Sequence, residues 1–169
     1  MTDDFTIEFQ DFWVKTAGKV RTFMFCACDN WVDADDMTQD CYLRALKAWK
    51  QFDGRASREA WLFGIARKTR IDWFRQKNKD NIINSTESRD TCCDVCHLLT
   101  QAQSAEEIWE TIKKLPDEYR EVIHLKFASG LSYDLIAQTL DIPIGTVRSR
   151  LHRALKAIKE QVGDRENET

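Results

Sequence analysis

Residues that interrupt helices are scarce here: 169 residues carry 6 glycines and 2 prolines. So few turn-formers do not close the many short hairpins of an all-β fold, and no strand pattern runs through the chain. Long hydrophobic runs are missing as well. Nothing approaches the roughly 20 apolar residues that cross a bilayer. The opening MTDDFTIEFQ lacks the basic and apolar parts of a signal peptide. A cytoplasmic protein with no membrane insertion is therefore expected. Histidine is rare, 3 in all and far apart, and no glycine-rich loop follows a strand. That leaves no catalytic signature, and the chain reads as a non-enzyme.

The residues present point to an all-α fold. Hydrophobic residues make up 43% and charged residues 31%, which suits exposed helices around a modest core. The net charge of -3 hides strong sectoring. Asp29, Asp33, Asp35, Asp36 and Asp40 form an acidic block, and Arg67, Lys68, Arg70, Arg75, Lys77 and Lys79 a basic one relieved only by Asp72. Local field, more than net charge, decides where a polyanion docks.

Helical spacing organises the first half. Phe9, Phe12, Trp13, Val20, Phe23 and Met24 stripe a helix from about Phe5 to Cys28. Asp33, with Asp36 three residues on, is the expected cap of a second helix whose inner face is Met37, Cys41, Ala45, Ala48 and Trp49. Its outer face, Asp36, Gln39, Asp40 and Arg44, is of a kind most often merely solvated. QFDGRAS breaks that helix at Gly54 and offers Ser57 as cap of a third, Arg58 to about Gln76. Trp61, Leu62, Ile65, Ile71 and part of Trp73 and Phe74 pack it. Arginines interleaved with aromatics suit single-stranded nucleic acid, since bases stack while cations follow phosphates.

From Asn78 to Gln103 the chain is polar and aperiodic and reads as a tether. Ser104 and Glu107 spell a capping box ahead of Ile108, Ile112 and Leu115. Pro116 opens a further helix with Tyr119, Val122, Ile123 and Phe127 inward, His124 at the surface or satisfied, and Gly130 at its end. Then LSYDLIAQTLDIPIGTVRSRLHRALKAIKE, Leu131 to Glu160, reads as helix, tight turn, helix. Ser132 caps the first helix, Ile136, Ala137 and Leu140 stripe it, and Asp141 tolerates the left-handed backbone of the turn. In the second helix Val147, Leu151, Ala154, Leu155 and Ile158 turn inward, leaving Arg148, Ser149, His152, Arg153 and Lys156 outward. No acid occurs from Ile142 to Lys159. A core-packed helix with that outward face is built like a major-groove reader. The expected domains are 1–78, a linker 79–103, a second module 104–162 and a frayed tail 163–169.

Four segments in order, DADDMTQDCYLRA, FDGRASREAWLFGIARKTRIDWFRQ, LPDEYREVIHLKF and GTVRSRLHRALK, resemble the extracytoplasmic function (group IV) sigma factors of bacterial RNA polymerase, in the sigma-70 family. The resemblance implies a region 2 helical bundle and a region 4 helix-turn-helix joined by a flexible linker. It also implies a factor that joins core polymerase, recognises minus-35 and minus-10 elements and helps open the DNA. By resemblance Asp35, Asp36, Gln39, Asp40 and Arg44 dock on the β′ clamp helices. Phe52, Asp53, Gly54, Arg55 and Ser57 form the loop that captures a flipped minus-10 base. Arg67, Lys68, Arg70 and Arg75 hold the opened strand. Thr146, Arg148, Ser149, His152, Arg153 and Lys156 enter the minus-35 major groove. The β flap, promoter DNA and an anti-sigma factor are the other implied partners. One departure is Lys68, where many members carry Asn.

The 6 cysteines, in a chain with no export signal, are expected as reduced thiols. Cys92, Cys93, Cys96 and His97 cluster within TCCDVCHL in the linker. Cys93, Cys96 and His97 spell the haem-attachment pattern, but that maturation needs export. Zinc or copper(I) binding, a thiol switch, and inert thiols all remain open readings. The rival function is a stand-alone helix-turn-helix regulator whose first module senses a ligand or metal. A strand-opening surface separates the two, since a repressor has no use for one.

Overall fold

The computed structural model describes residues 4–81 and 102–166, and among them every regular element is helical. The helices are α1 (Asp4–Cys28), α2 (Trp31–Ala48), α3 (Arg58–Asn81), α4 (Ala102–Lys114), α5 (Asp117–Ile123), α6 (Tyr133–Leu140) and α7 (Ile144–Glu166). They divide into two compact units, one with α1 to α3 and the other with α4, α5, most of α6 and α7.

In the first unit α1 packs on α2, and both pack on α3. Phe9, Val20, Phe23 and Met24 of α1 meet Met37, Cys41 and Ala45 of α2 and Leu62, Phe63 and Ala66 of α3, all buried. Phe63 and Phe25 are buried though periodicity did not single them out, and Phe12 and Trp13 are only half-buried. Two residues join α1 to α2. Asp29 takes a left-handed φ of 55° and its amide donates to Phe25 O at 2.8 Å, closing α1. Asn30 then caps α2, its Oδ1 accepting from Val32 N at 2.8 Å and Asp33 N at 3.2 Å. Asp33 is therefore not the cap: it lies inside the first turn.

The second unit packs α4 and α5 against α7. Ile112, Leu115, Val122, Ile123, Leu125, Leu131, Ile136, Val147, Leu151 and Ala154 are its core. α4 begins at Ala102, so Ser104 sits within the helix and cannot cap it. α5 runs into one wide π turn, His124–Ala128. Within that turn α-helical spacing does not apply: Leu125 is fully buried, while Phe127, expected inward, is 48% exposed. His124 is in the core and not at the surface, stacked 5.8 Å from Trp109. Gly130 ends the turn with φ of 67°, as its position predicted. α3 and α7 run on to Asn81 and Glu166, beyond the ends that periodicity suggested.

Candidate functional site: an acidic face and two basic ones

The acidic face lies on α2. At about 100° per residue, Asp36, Gln39, Asp40 and Leu43 fall on one stripe, and all four are exposed. Asp35 and Arg44 flank the stripe and are tied down. Arg21 of α1 donates from Nε and a terminal nitrogen to the two carboxylate oxygens of Asp35, at 2.5 and 3.1 Å, and lies 4.3 Å from the Trp31 ring. Those hydrogen bonds hold the Asp35 carboxyl below, and the Arg21 guanidinium above, their ordinary values. Arg44 spans Asp40 at 3.0 Å and Asp72 of α3 at 2.7 Å. Of the five expected docking residues, then, Asp36, Gln39 and Asp40 point out and two brace the helix. Beside them a groove of about 420 Å³ is lined by Trp13, Thr38, Gln39, Tyr42 and Leu43. Sequence reasoning missed its apolar part. The available signal was the i, i+3, i+4 set Gln39, Tyr42, Leu43, with Trp13 left over from the α1 core stripe.

The loop after α2 is pinned by aromatics. A short 3-10 turn, Trp49–Gln51, delivers Phe52 between Trp49 and Trp61, with ring centroids 6.3 and 5.4 Å away. Asp53 Oδ1 accepts from Arg55 N at 3.1 Å and its other oxygen pairs with Arg55 Nε at 2.9 Å. Gly54 supplies the φ of 73° that this tight turn demands. Arg55 is thereby presented to solvent, 89% exposed. Ser57 Oγ accepts from Ala60 N at 3.2 Å, so it caps α3 as expected.

On α3, Trp61, Gly64, Lys68, Ile71 and Arg75 follow one another at three- and four-residue steps and so share a stripe. Lys68 and Arg75 on it are exposed, and Arg67 adjoins it half-buried. Arg70 is on another side, its guanidinium 4.8 Å from the buried Phe23 ring. Lys77 is held there too, 2.7 Å from Asp33 and 4.4 Å from the Trp73 ring. Among the described side chains the basic block is thus two groups, one facing out beside the aromatic loop and one tied down on another side of α3.

In the second unit Ser132 Oγ accepts from Leu135 N at 3.2 Å and caps α6. Asp141 adopts a φ of 53°, and Ile142 N donates to Ala137 O at 3.1 Å across the turn. Pro143 O receives Thr146 N and Val147 N at 2.8 and 3.2 Å, starting α7. Val147, Leu151 and Ala154 are buried, and Arg148, Ser149, His152, Arg153 and Lys156 are all exposed on the other side, with Thr146 half-buried. Ser149 Oγ donates to Thr146 O at 3.0 Å, and Lys156 Nζ is 3.7 Å from Glu160. Leu155, expected inward, is 47% exposed. It lies between the buried Leu151 and the exposed Arg148 in angle and so stands at the edge of the outward face.

Cys92, Cys93, Cys96 and His97 lie outside the described residues. Among the described residues no group of three or more His, Cys, Asp or Glu is placed to hold a metal ion. Burial pushes the Cys28 thiol up to about 11 and the Cys41 thiol up to about 12, which marks packed side chains and not reactive ones. No helix among the described residues is long and apolar enough to cross a membrane.

Two family models match this chain. Sigma-70 region 2 covers residues 12–80, α1 from its third turn through α3, and Sigma-70 region 4 covers residues 105–158. The ECF RNA polymerase sigma factor SigW of Bacillus subtilis is 30% identical over 157 residues, 86% of this chain and 84% of that one. The ECF RNA polymerase sigma-E factor of Escherichia coli is 30% identical over 141 residues, 77% of this chain and 74% of that one. Among solved structures, the sigma factor RpoE in complex with the anti-sigma factor NepR from Bartonella quintana superposes with a TM-score of 0.73 at 24% identity, covering 92% of this chain and 97% of that one. CnrH in complex with the cytosolic domain of CnrY gives 0.63 at 24%, covering 95% and 88%. These two likenesses concern the fold. With both modules matched in order and a relative 30% identical spanning most of both chains, the protein belongs to the ECF sigma factors of RNA polymerase.

Proposed function

We propose that this chain binds core RNA polymerase and directs promoter-specific initiation, with the division of labour its three faces suggest. Asp36, Gln39 and Asp40, with Asp35 and Arg44 bracing them, dock on the β′ clamp helices. Phe52, Asp53, Gly54, Arg55 and Ser57 receive a flipped minus-10 base. Lys68 and Arg75, with Arg67 beside them, follow the unpaired strand away from that loop. Arg70 serves the same strand less directly, through the Phe23 contact that keeps α3 seated. Arg148, Ser149, His152, Arg153, Lys156 and Thr146 read and hold the minus-35 duplex.

The observation that carries this reading is the outward face of α7. A cationic, hydroxyl- and imidazole-bearing stripe stands on a buried Val147, Leu151, Ala154 seam, reached through a left-handed turn at Asp141. Guanidinium groups there match guanine edges bidentately, at about 1–3 kcal/mol of discrimination each. The exposed stripe of α3 beside an aromatic loop supports strand opening over simple duplex binding, because bases leave the stack only where another flat surface receives them. That favours the initiation factor over a stand-alone regulator.

The protein works without catalysis of its own, in the cytoplasm where core polymerase works. The β flap and an anti-sigma factor complete its partners, the latter in line with the anti-sigma complex of the fold neighbour RpoE. Run-off transcription with core polymerase on a promoter library tests the reading. Enrichment of paired upstream and downstream elements is expected, and transcripts independent of the added chain would defeat it.

A further inference from the structure

Arg150 stands in the middle of the minus-35 candidates but does not point with them. Two residues on from Arg148 at about 100° each, it falls near the opposite side of α7, on the flank of the Val147, Leu151, Ala154 seam. Its side chain is 25% exposed, whereas Arg148 and Arg153 are exposed. Its terminal nitrogen lies 2.9 Å from Glu118 Oε2 in α5. α5 is in turn fixed to the end of α4, where Arg120 donates to Lys113 O at 2.7 Å. The apolar seam settles which side of α7 faces inward, yet rounded aliphatic side chains resist a small roll about the helix axis only weakly. A charged tie at the edge of the seam resists it directly. With side chains reaching about 6 Å from the axis, a roll of about 20° shifts a reading group by about 2 Å. That is far outside the tolerance of a bidentate hydrogen bond.

We propose that Arg150 is a positioning residue for minus-35 recognition: held by Glu118, it sets the roll of α7 against α5 and aims Arg148, Ser149, His152 and Arg153 at the base edges, while taking no phosphate itself. The inference rests on the reading that α7 enters the major groove.

The test uses holoenzyme made from the full chain and core polymerase, binding promoters with an intact or a scrambled minus-35 element across a salt series. Wild type, Glu118→Gln, Arg150→Ala, Arg150→Lys and Lys156→Ala are compared. Glu118→Gln and Arg150→Ala are expected to cut the intact-over-scrambled preference by about fivefold with the salt slope unchanged, and Arg150→Lys to restore most of it. Lys156→Ala, which removes an exposed cation outside the base-edge set, is expected to lower the slope by about one phosphate contact. A slope lowered by Arg150→Ala as by Lys156→Ala makes Arg150 a phosphate ligand and overturns the proposal. An unchanged preference in Glu118→Gln overturns it too, since the tie then aims nothing. If wild type itself shows no preference, the groove reading fails first and the positioning role falls with it; that result is distinct because it appears without any substitution.

Discussion

Arg44 of α2 reaches across to Asp72 of α3, 2.7 Å away, while holding Asp40 of its own helix at 3.0 Å. One guanidinium thus bridges two helices and orients a carboxylate of the candidate docking stripe. Replacing Arg44 by Ala removes the bridge but none of the outward groups. A loss of about 1 kcal/mol in stability is expected for a half-exposed network, with polymerase affinity lowered only slightly. Asp36→Arg, on the same exposed stripe but outside that network, should do the reverse, leaving thermal stability nearly intact and weakening holoenzyme assembly at least about tenfold. Thermal melts and competition for core polymerase separate the two.

The Asp35 carboxyl, held low by its hydrogen bonds from Arg21, makes a pH-dependent contribution with a definite sign. A carboxylate whose folded value is depressed stabilises the fold above its ordinary value, 3.8, and loses that contribution as pH falls through the folded value. Asp35→Asn should therefore be less stable than wild type at neutral pH and converge with it in acid. Because the pair is about half exposed, the gap should stay below about 1 kcal/mol. Denaturant midpoints at pH 7 and below pH 3 measure it.

Cys28 and Cys41 set the alkaline side. Burial raises them to about 11 and about 12 from 9.0, so the folded chain favours the neutral thiols. That contribution is complete below pH 9 and fades as pH rises towards 11 and 12. Neither thiol should react with iodoacetamide in the native protein at pH 8, and both should react in denaturant. Mass mapping of the labelled peptides gives the result directly.

Phe52, seated between Trp49 and Trp61, should matter for opening and little for duplex recognition. Phe52→Ala is expected to leave minus-35 binding within twofold and to slow formation of permanganate-reactive thymines in the minus-10 element about tenfold. Equal loss of both would mean that the first unit had simply unfolded.

Much of the second unit was readable because local chemistry decides it. Asp141, Gly130, Ser132 and Pro143 each have a backbone or capping role that few other residues fill, and the Val147, Leu151, Ala154 seam follows from helical period alone. The misses came where neighbours decide. Asp29, Asn30 and Asp33 are all competent caps by type, and only the left-handed closure of α1 at Asp29 assigns the role to Asn30. Phe127 turned outward because one wide π turn interrupts the period on which its inward placement relied. Arg70 looked like its basic neighbours until Phe23 of α1 was found beneath it. The groove of Trp13, Tyr42 and Leu43 needs two helices side by side, and no single stripe reveals it.

The most direct measurement is run-off transcription by core polymerase on a promoter selected with the wild-type chain, comparing wild type with the Arg148→Glu, Arg153→Glu double variant. The account predicts initiation that depends on the wild-type chain and on the upstream element, and a variant that still assembles with polymerase but loses upstream-element dependence. A variant that selects the same upstream sequence as wild type, or a wild-type chain that never joins core polymerase, would contradict it.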